Sequence, residues 1–370
     1  KTLINTIKKK LQEIFKKTGY KLYFLLYGKI EGVINSSDHK NIKIDKVFFP
    51  NNLFYRIFSI VKGRIYTDTV TDAAFIVNKK IVDEASFQHR NVKNVECNKN
   101  IVFEKGTPRF QKKLKGVVFS LLTGGGGNHN YWHWIFDVLP RIGIIQEGKY
   151  FEQIDYFLFP DIEQKFQKES LDILKIAPTK RLSSIVNRHV YADKILTVDH
   201  PYVINNDATK EIQHMPLWII KWLRKNFLKD INNQNDLPKK FYIDRKDSIS
   251  STGHLRKIIN EEEVKKFLEK ENYNSLSLGD LSFLDQVRLF KNAESIIGLH
   301  GAGFANVVFS SPNTKILELK PSSAGEVIKN LSINNNLSYE EISIKPLKND
   351  NNNQFGHIEI PLQLLKEKIN

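Results

Sequence analysis

One cysteine, Cys97, and one methionine, Met215, are all the sulfur in this 370-residue sequence. A single thiol excludes a disulfide framework and any multi-cysteine metal site, and it fits a reducing compartment. No run of about 18 apolar residues occurs, so no transmembrane span is expected. Neither G-x-G-x-x-G nor G-x-x-x-x-G-K-[ST] is present, which argues against a nicotinamide-binding turn and a P-loop. There is no G-x-S-x-G nucleophile elbow and no D-x-D triplet to hold a metal-bridged diphosphate. Zinc-finger and RNA-recognition signatures are missing, and no dense Lys/Arg tract carries interleaved aromatics. Nucleic acid is therefore not an expected partner.

What is present is positive charge: 56 basic against 41 acidic residues, a net +15. A negatively charged partner is implied, such as a phosphorylated substrate or anionic lipid. Hydrophobic content of 41% over this length supports two domains. Part of the charge is local. In KTLINTIKKKLQEIFKKTGY, Leu3, Ile4, Ile7, Leu11 and Ile14 fall near one helical face, and Lys8, Lys9, Lys10, Lys16 and Lys17 lie mostly elsewhere. A basic amphipathic helix of this kind can lie on an anionic membrane, and the apolar KLYFLLYGKI that follows favours this over an ordinary docked helix.

After Gly32 come short β-rich runs, KIDKVFF, RIYTDTV, AAFIV and KIVDEA. From about Gly116 strands and helices alternate, with a helix from Asn130 to Leu139 stopped at Pro140. The polar NNQNDLPKK, Asn232 to Lys240, marks a boundary. Beyond it KFYIDR, NSLSL, SIIGL and KILELK are strands separated by helices. The expected class is α/β, with two Rossmann-like doubly wound domains facing a cleft. The expected parts are an N-terminal segment 1–32, an α/β domain 33–231, a second α/β domain 240–345, and a polar loop with a final helix, 346–370.

Two motifs stand out. In ESIIGLHGAGFANVVF a strand runs into His300-Gly301-Ala302-Gly303 and a helix follows. Glycines there admit close approach of backbone N–H groups, and a helix start favours an anion such as a diphosphate. The plainer alternative is a tight turn in which His300 only packs. Arg245 and Lys246, at the end of a predicted strand, lie where a phosphate could be held. The other motif is GGGGNHNYWHWIFDVLPRI, Gly124 to Ile142. On a helix, His129, His133 and Asp137 at i, i+4 and i+8 lie within about 80° of one another. Trp132, Ile135, Phe136 and Leu139 form an apolar stripe on another face. The loop residues Gly126, Gly127, Asn128 and Asn130 would meet a substrate or acceptor. Three readings stay open: a general base in a cleft, a metal site lacking the glutamate of H-E-x-x-H, or packed histidines beside a structural aspartate.

Taken together, G-x-N-H-N-Y-W-H-W-x-x-D-x-L-P-R, Y-I-x-R, L-S-F-x-x-Q, G-x-H-G-A-G-x-x-N and L-E-L resemble glycosyltransferase family 61, from roughly Gly116 to Pro321. The resemblance implies a GT-B fold and inverting transfer from a nucleotide-diphosphate sugar, a UDP-sugar by preference. It assigns the diphosphate to Arg245, and it lays His300, Gly301, Ala302, Gly303 and Asn306 against the donor. Glu318 would contact the nucleotide or the loop, and Gln286 matches a position of donor-side or structural role. His133 or Asp137 would be the base, with His129 the weaker candidate. A positive clamp would replace a metal, so no cofactor is expected. Lys/Asn/Ile-rich composition and the basic N-terminal segment (residues 1–30) suggest a bacterial enzyme of capsule or surface-polysaccharide synthesis. It would be cytoplasmic and peripheral at the inner membrane face, acting on a glycan or lipid-linked glycan. The alternatives are a metal-dependent hydrolase built on His129, His133 and Asp137, and a non-catalytic sugar-nucleotide or glycan-binding protein.

Overall fold

The computed structural model of the chain describes all residues except 1, 36, 38, 69–71, 91–92, 123–128, 204–210, 230, 232–236, 247–255, 348–355 and 370. The chain forms two compact units. The first comprises Lys1–His129, Asp137–Ile162 and Ala177–Asn206; the second comprises Asn130–Phe136, Glu163–Ile176 and Asp207–Asn370. This division differs from a boundary at 232–240. The helix Leu217–Phe227 belongs to the second unit because its end packs there. The Phe227 ring meets Phe283 edge-on at 5.0 Å, and Arg224 Nη1 donates to the carbonyls of Val308 and Ser310 at 2.9 and 2.7 Å.

The first unit is built on an eleven-stranded sheet: β1 (Gly32–Ile34), β2 (Ile42–Phe49), β3 (Leu53–Tyr66), β4 (Asp72–Val77), β5 (Lys80–Val82), β6 (Phe87–Arg90), β7 (Lys93–Asn94), β8 (Lys112–Ser120), β9 (Tyr156–Phe159), β10 (Arg181–Ser183) and β11 (His189–Val198). Its main path runs β1-β5-β4-β3-β11-β8-β9-β10, with β2 beside β3. β11, β8, β9 and β10 are parallel, whereas β3 is antiparallel to β2, β4 and β11. The sheet is therefore mixed, not the wholly parallel doubly wound sheet expected. The cause is turn chemistry. Asn78 and Lys79 (φ 46° and 63°) form a two-residue loop between β4 and β5, and Asn51 and Asn52 (φ 66° and 58°) close the β2–β3 hairpin. Loops this short join only antiparallel neighbours. Phe58, Ile60, Ile65, Phe75, Val118, Leu158, Val190 and Ile195 fill the core.

A 26-residue helix, Thr2–Tyr27, precedes the sheet and includes most of the apolar segment KLYFLLYGKI. Its last turns dock by aromatic rings. Tyr23 meets Phe110 at 5.5 Å, Tyr27 meets His189 at 4.7 Å, and the Tyr27 hydroxyl accepts from Gln111 N–H at 2.9 Å. His189 is 1% exposed. Its Nδ1 lies 3.0 Å from the Arg109 carbonyl and its Nε2 3.1 Å from the Gln111 amide nitrogen, an arrangement that suits the neutral ring. Burial pushes its pKa down from 6.5 to about 4. Between these values the unfolded chain binds the proton and the folded chain does not. The stabilisation is thus complete above about pH 6.5 and is lost as pH falls toward 4, a change of up to about 3 kcal/mol. Denaturant midpoints measured at pH 7 and 4.5 should converge in His189→Gln relative to the parent; equal pH dependence in both proteins would refute the assignment.

The second unit holds a five-stranded parallel sheet: β12 (Lys240–Asp244), β13 (Asn274–Ser277), β14 (Ser295–Leu299), β15 (Lys315–Pro321) and β16 (Ser338–Ile344). The order β13-β12-β14-β15-β16 reads 2-1-3-4-5 along the chain, so the expected parallel sheet is found in this unit. The helices Glu261–Lys270 and Phe283–Lys291 flank the inner strands. The helix Val327–Asn334 and β16 were not foreseen; the latter, SYEEISI, is too polar to read as a core strand. Tyr242, Val264, Leu268, Ile297, Leu317, Leu319 and Ile342 pack the core. Strand order reverses between β12 and β14, where open α/β sheets form a crevice beyond their carboxyl ends.

Candidate active site

The crevice position is occupied by Arg245 and His300, since β12 ends at Asp244 and β14 at Leu299. A Cβ placed on Gly301 would stand 3.6 Å from Arg245 Nε, so the guanidinium lies directly over the loop. Gly301 itself is extended (φ 173°), a conformation open to any residue. What its missing side chain provides is room beside Arg245. Gly303 acts differently: a Cβ there would meet Leu278 Cδ1 at 3.0 Å, which makes it a close-packing position. The segment Ala302–Phe309 is a 3₁₀ helix, not the α-helix expected from Phe304. Ala302 begins it, partly exposed.

His300 is oriented from two sides. Its Nδ1 bonds the Glu318 carboxylate, which is fully buried on β15, and Arg256 Nε donates to its carbonyl at 2.7 Å. The Tyr339 hydroxyl lies 2.5 Å from Glu318 Oε2 and 2.8 Å from Glu341 Oε2. Burial, then these carboxylates, push the Tyr339 phenol up, so it stays a proton donor. Lys320 Nζ contacts Glu341 at 3.0 Å. Glu318 therefore meets the loop through His300. Arg256 was missed: it follows a serine-rich stretch with no local signal. Burial first, and then the nearness of Arg245, lower its pKa to about 10. The loop thus sits in a concentration of positive charge. Lys246 stands apart, exposed and paired with Asp280 at 3.1 Å.

Asn306 is 0% exposed and does not face a ligand space. Its carbonyl accepts from Tyr131 Oη at 2.6 Å, and its amide donates to Gln286 Oε1 at 3.0 Å. Gln286 donates in turn to the Leu278 carbonyl at 2.9 Å, a structural role. Tyr131 and Asn306 come from the two separate sequence motifs, which this network joins inside one unit.

The aromatic motif departs most from expectation. Asn130 caps the helix, its side chain accepting from the N–H groups of Trp132 and His133 at 2.9 and 3.4 Å. Tyr131–His133 is α-helical, Trp134–Val138 is a π turn, and Leu139–Glu147 is α-helical. Pro140 does not end the helix: it follows the π turn, in the second position of the last α segment. Trp134, Ile135, Phe136, Val138 and Leu139 are all 0% exposed. From Trp134 to Ile145 the helix is buried all round, charged Asp137 and Arg141 included, and the wide turn disturbs the 3.6-residue alignment.

His129 precedes the helix, half-exposed, with Nε2 3.4 Å from Asp161. Asp137 is 2% exposed in the first unit. It accepts from the Tyr202 hydroxyl, and His200 Nε2 lies 3.8 Å from its other oxygen. His200 Nδ1 accepts from the N–H groups of Val203 and Tyr202 at 3.1 and 3.3 Å, so the proton sits on Nε2, toward the carboxylate. The Arg141 guanidinium is also close, 3% exposed, its pKa lowered to about 10 by burial against the opposing charges of Asp137 and Asp199. His129 and Asp137 therefore do not share a ligand face; each has its own partner. The His200-Pro-Tyr202 sequence that supplies two of these partners was overlooked, although it directly follows a predicted strand. Among the described residues, no three His, Cys, Asp or Glu side chains are grouped to hold a metal. Gly126, Gly127 and Asn128 lie outside the described residues.

A parallel 2-1-3-4-5 sheet places the loop of Arg245 and His300 at its switch point, the position where open α/β sheets bind ligands. The family model Glycosyltransferase 61 matches residues 131–317, just over half of the chain, and the chain belongs to that family. It is a glycosyltransferase, which implies a sugar donor and an acceptor as substrates. No curated protein matches the chain. The matched residues include Tyr131, His133, Asp137, Arg245, His300 and Asn306; His129 lies outside them.

Proposed function

We propose that the enzyme transfers a sugar, with inversion, from a nucleotide-diphosphate donor, preferably a UDP-sugar, to a glycan acceptor. The observation that carries this reading is the Arg245 guanidinium lying over Gly301 at the β12–β14 switch point. Departure of the nucleotide leaves negative charge on the diphosphate. Arg245, His300 and the N–H groups of the loop are preorganised to stabilise it electrostatically. This clamp needs no divalent ion, so activity should survive chelators. The acceptor hydroxyl loses its proton to His133, which is partly exposed, in preference to Asp137, whose carboxylate is buried and engaged. Attack on the anomeric carbon from the face opposite the diphosphate then inverts configuration. We place the reaction in bacterial capsule or surface-polysaccharide synthesis, with a lipid-linked acceptor at the inner face of the cell membrane.

Thermal stabilisation by UDP, GDP, CMP, ADP and dTDP tests the donor assignment. A ligand bound only by the folded state adds about 2.7 kcal/mol at 100 times its dissociation constant. One nucleoside diphosphate should raise the melting temperature selectively; no response from any would count against a donor site here. In His133→Ala, turnover is expected to fall 10²- to 10⁴-fold, as for loss of a general base, with nucleotide stabilisation retained. Unchanged turnover would remove His133 from the mechanism.

A further inference from the structure

The N-terminal helix has two apolar sides, and among the described residues one is packed against the rest of the protein while the other is exposed. At about 100° per residue, Tyr23, Phe24 and Tyr27 share one side. That side is docked through Phe110, His189 and the backbone of Gly106, against which the Phe24 ring rests. Ile7, Ile14, Leu22 and Leu25 fall within about 80° of one another on the opposite side. They are 50%, 61%, 53% and 86% exposed. Exposed lysines border this stripe, Lys8 on one flank and Lys10, Lys17 and Lys21 on the other. Glu13 is the only acidic residue of the helix.

We infer that this outward face is a docking surface for an anionic lipid bilayer. The helix is not apolar enough to cross a membrane, yet Ile7, Ile14, Leu22 and Leu25 present large aliphatic side chains along one side over about 27 Å. Such a row inserts at the headgroup–acyl boundary, while lysines on its flanks pair with lipid phosphates. Charge selects the occupant. A protein groove for the same stripe would need acidic rims, whereas an anionic leaflet supplies them everywhere. The opposed aromatic side anchors the helix to β11 through Tyr27 and His189. Docking of the stripe would therefore hold the first unit at the lipid surface. The inference deepens the proposed lipid-linked acceptor by naming the surface that reaches it.

The test is co-sedimentation of the full chain with vesicles of phosphatidylcholine alone or with 30% phosphatidylglycerol, about that fraction being enough to set a strong surface potential. Binding is expected only to the anionic vesicles and should weaken in high salt. Ile14→Glu combined with Leu25→Glu should reduce it at least tenfold, as should Lys10, Lys17 and Lys21 changed together to Gln. All of these side chains are exposed, so circular dichroism and melting temperature should not change. Equal binding to neutral vesicles, or binding indifferent to both sets of changes, overturns the inference. So does a concentration-dependent dimer that Leu25→Glu dissociates, since the stripe would then cover a second copy. Selective nucleotide stabilisation is measured without lipid and stands or falls separately.

Discussion

Arg245→Ala is expected to lower kcat/KM by 10²- to 10³-fold, the loss seen when one preorganised donor to a developing oxyanion is removed. Nucleoside diphosphate binding should weaken at least tenfold, because a charge-assisted bond contributes about 1.5–3 kcal/mol. Arg245 lies near Arg256, and that proximity works against the second guanidinium. Arg245→Lys keeps the charge but loses the planar fork, and should recover only part of the activity. A variant that melts early but binds nucleotide normally would show that Arg245 braces the loop and does not contact the diphosphate.

Asp137→Ala should give the opposite pattern: a protein damaged before any substrate is added. The carboxylate accepts from Tyr202 and, with Asp199, opposes the charge of Arg141, which is 3% exposed and whose Nε and Nη1 have no hydrogen-bond partner among the described residues. Asp199 remains beside that buried guanidinium, so the loss of Asp137 costs up to about 3–5 kcal/mol. Asp137→Asn keeps an acceptor for Tyr202 and should cost less, about 1–3 kcal/mol. Both are read as falls in the denaturant midpoint. If Asp137→Asn instead melted like the parent and lost turnover, the carboxylate would be the base and the assignment to His133 would be wrong.

The second unit was largely legible in the sequence because local signals agreed with the global fold. KFYIDR, SIIGL and KILELK are apolar runs bounded by turns, and His300-Gly301-Ala302-Gly303 marks a strand end whatever its neighbours do. The first unit was less legible. The hairpin loops at Asn51–Asn52 and Asn78–Lys79 set strand direction, and their effect depends on which strands they join. The aromatic helix misled for a different reason. A stripe is inferred by contrast with polar residues, but Asp137 and Arg141 are buried as partners, so the apparent polar face is interior. Partners distant in sequence, such as His200 and Tyr202 for Asp137 or Tyr131 for Asn306, leave no trace in local pattern.

The Tyr131–Asn306–Gln286 network bears on how this enzyme could be recombined with its relatives. The second unit is assembled from three stretches of chain, Asn130–Phe136, Glu163–Ile176 and Asp207–Asn370. Trp134 reaches Ser170 across two of them, at 2.9 Å. A chimera joined once, near residue 207, would import Asn306 and Gln286 while keeping the recipient's Tyr131, Trp134 and Ser170. Mismatched partners there would leave buried amides unsatisfied directly beneath the loop that carries His300. Exchange of the second unit between relatives therefore calls for a mosaic of three grafts.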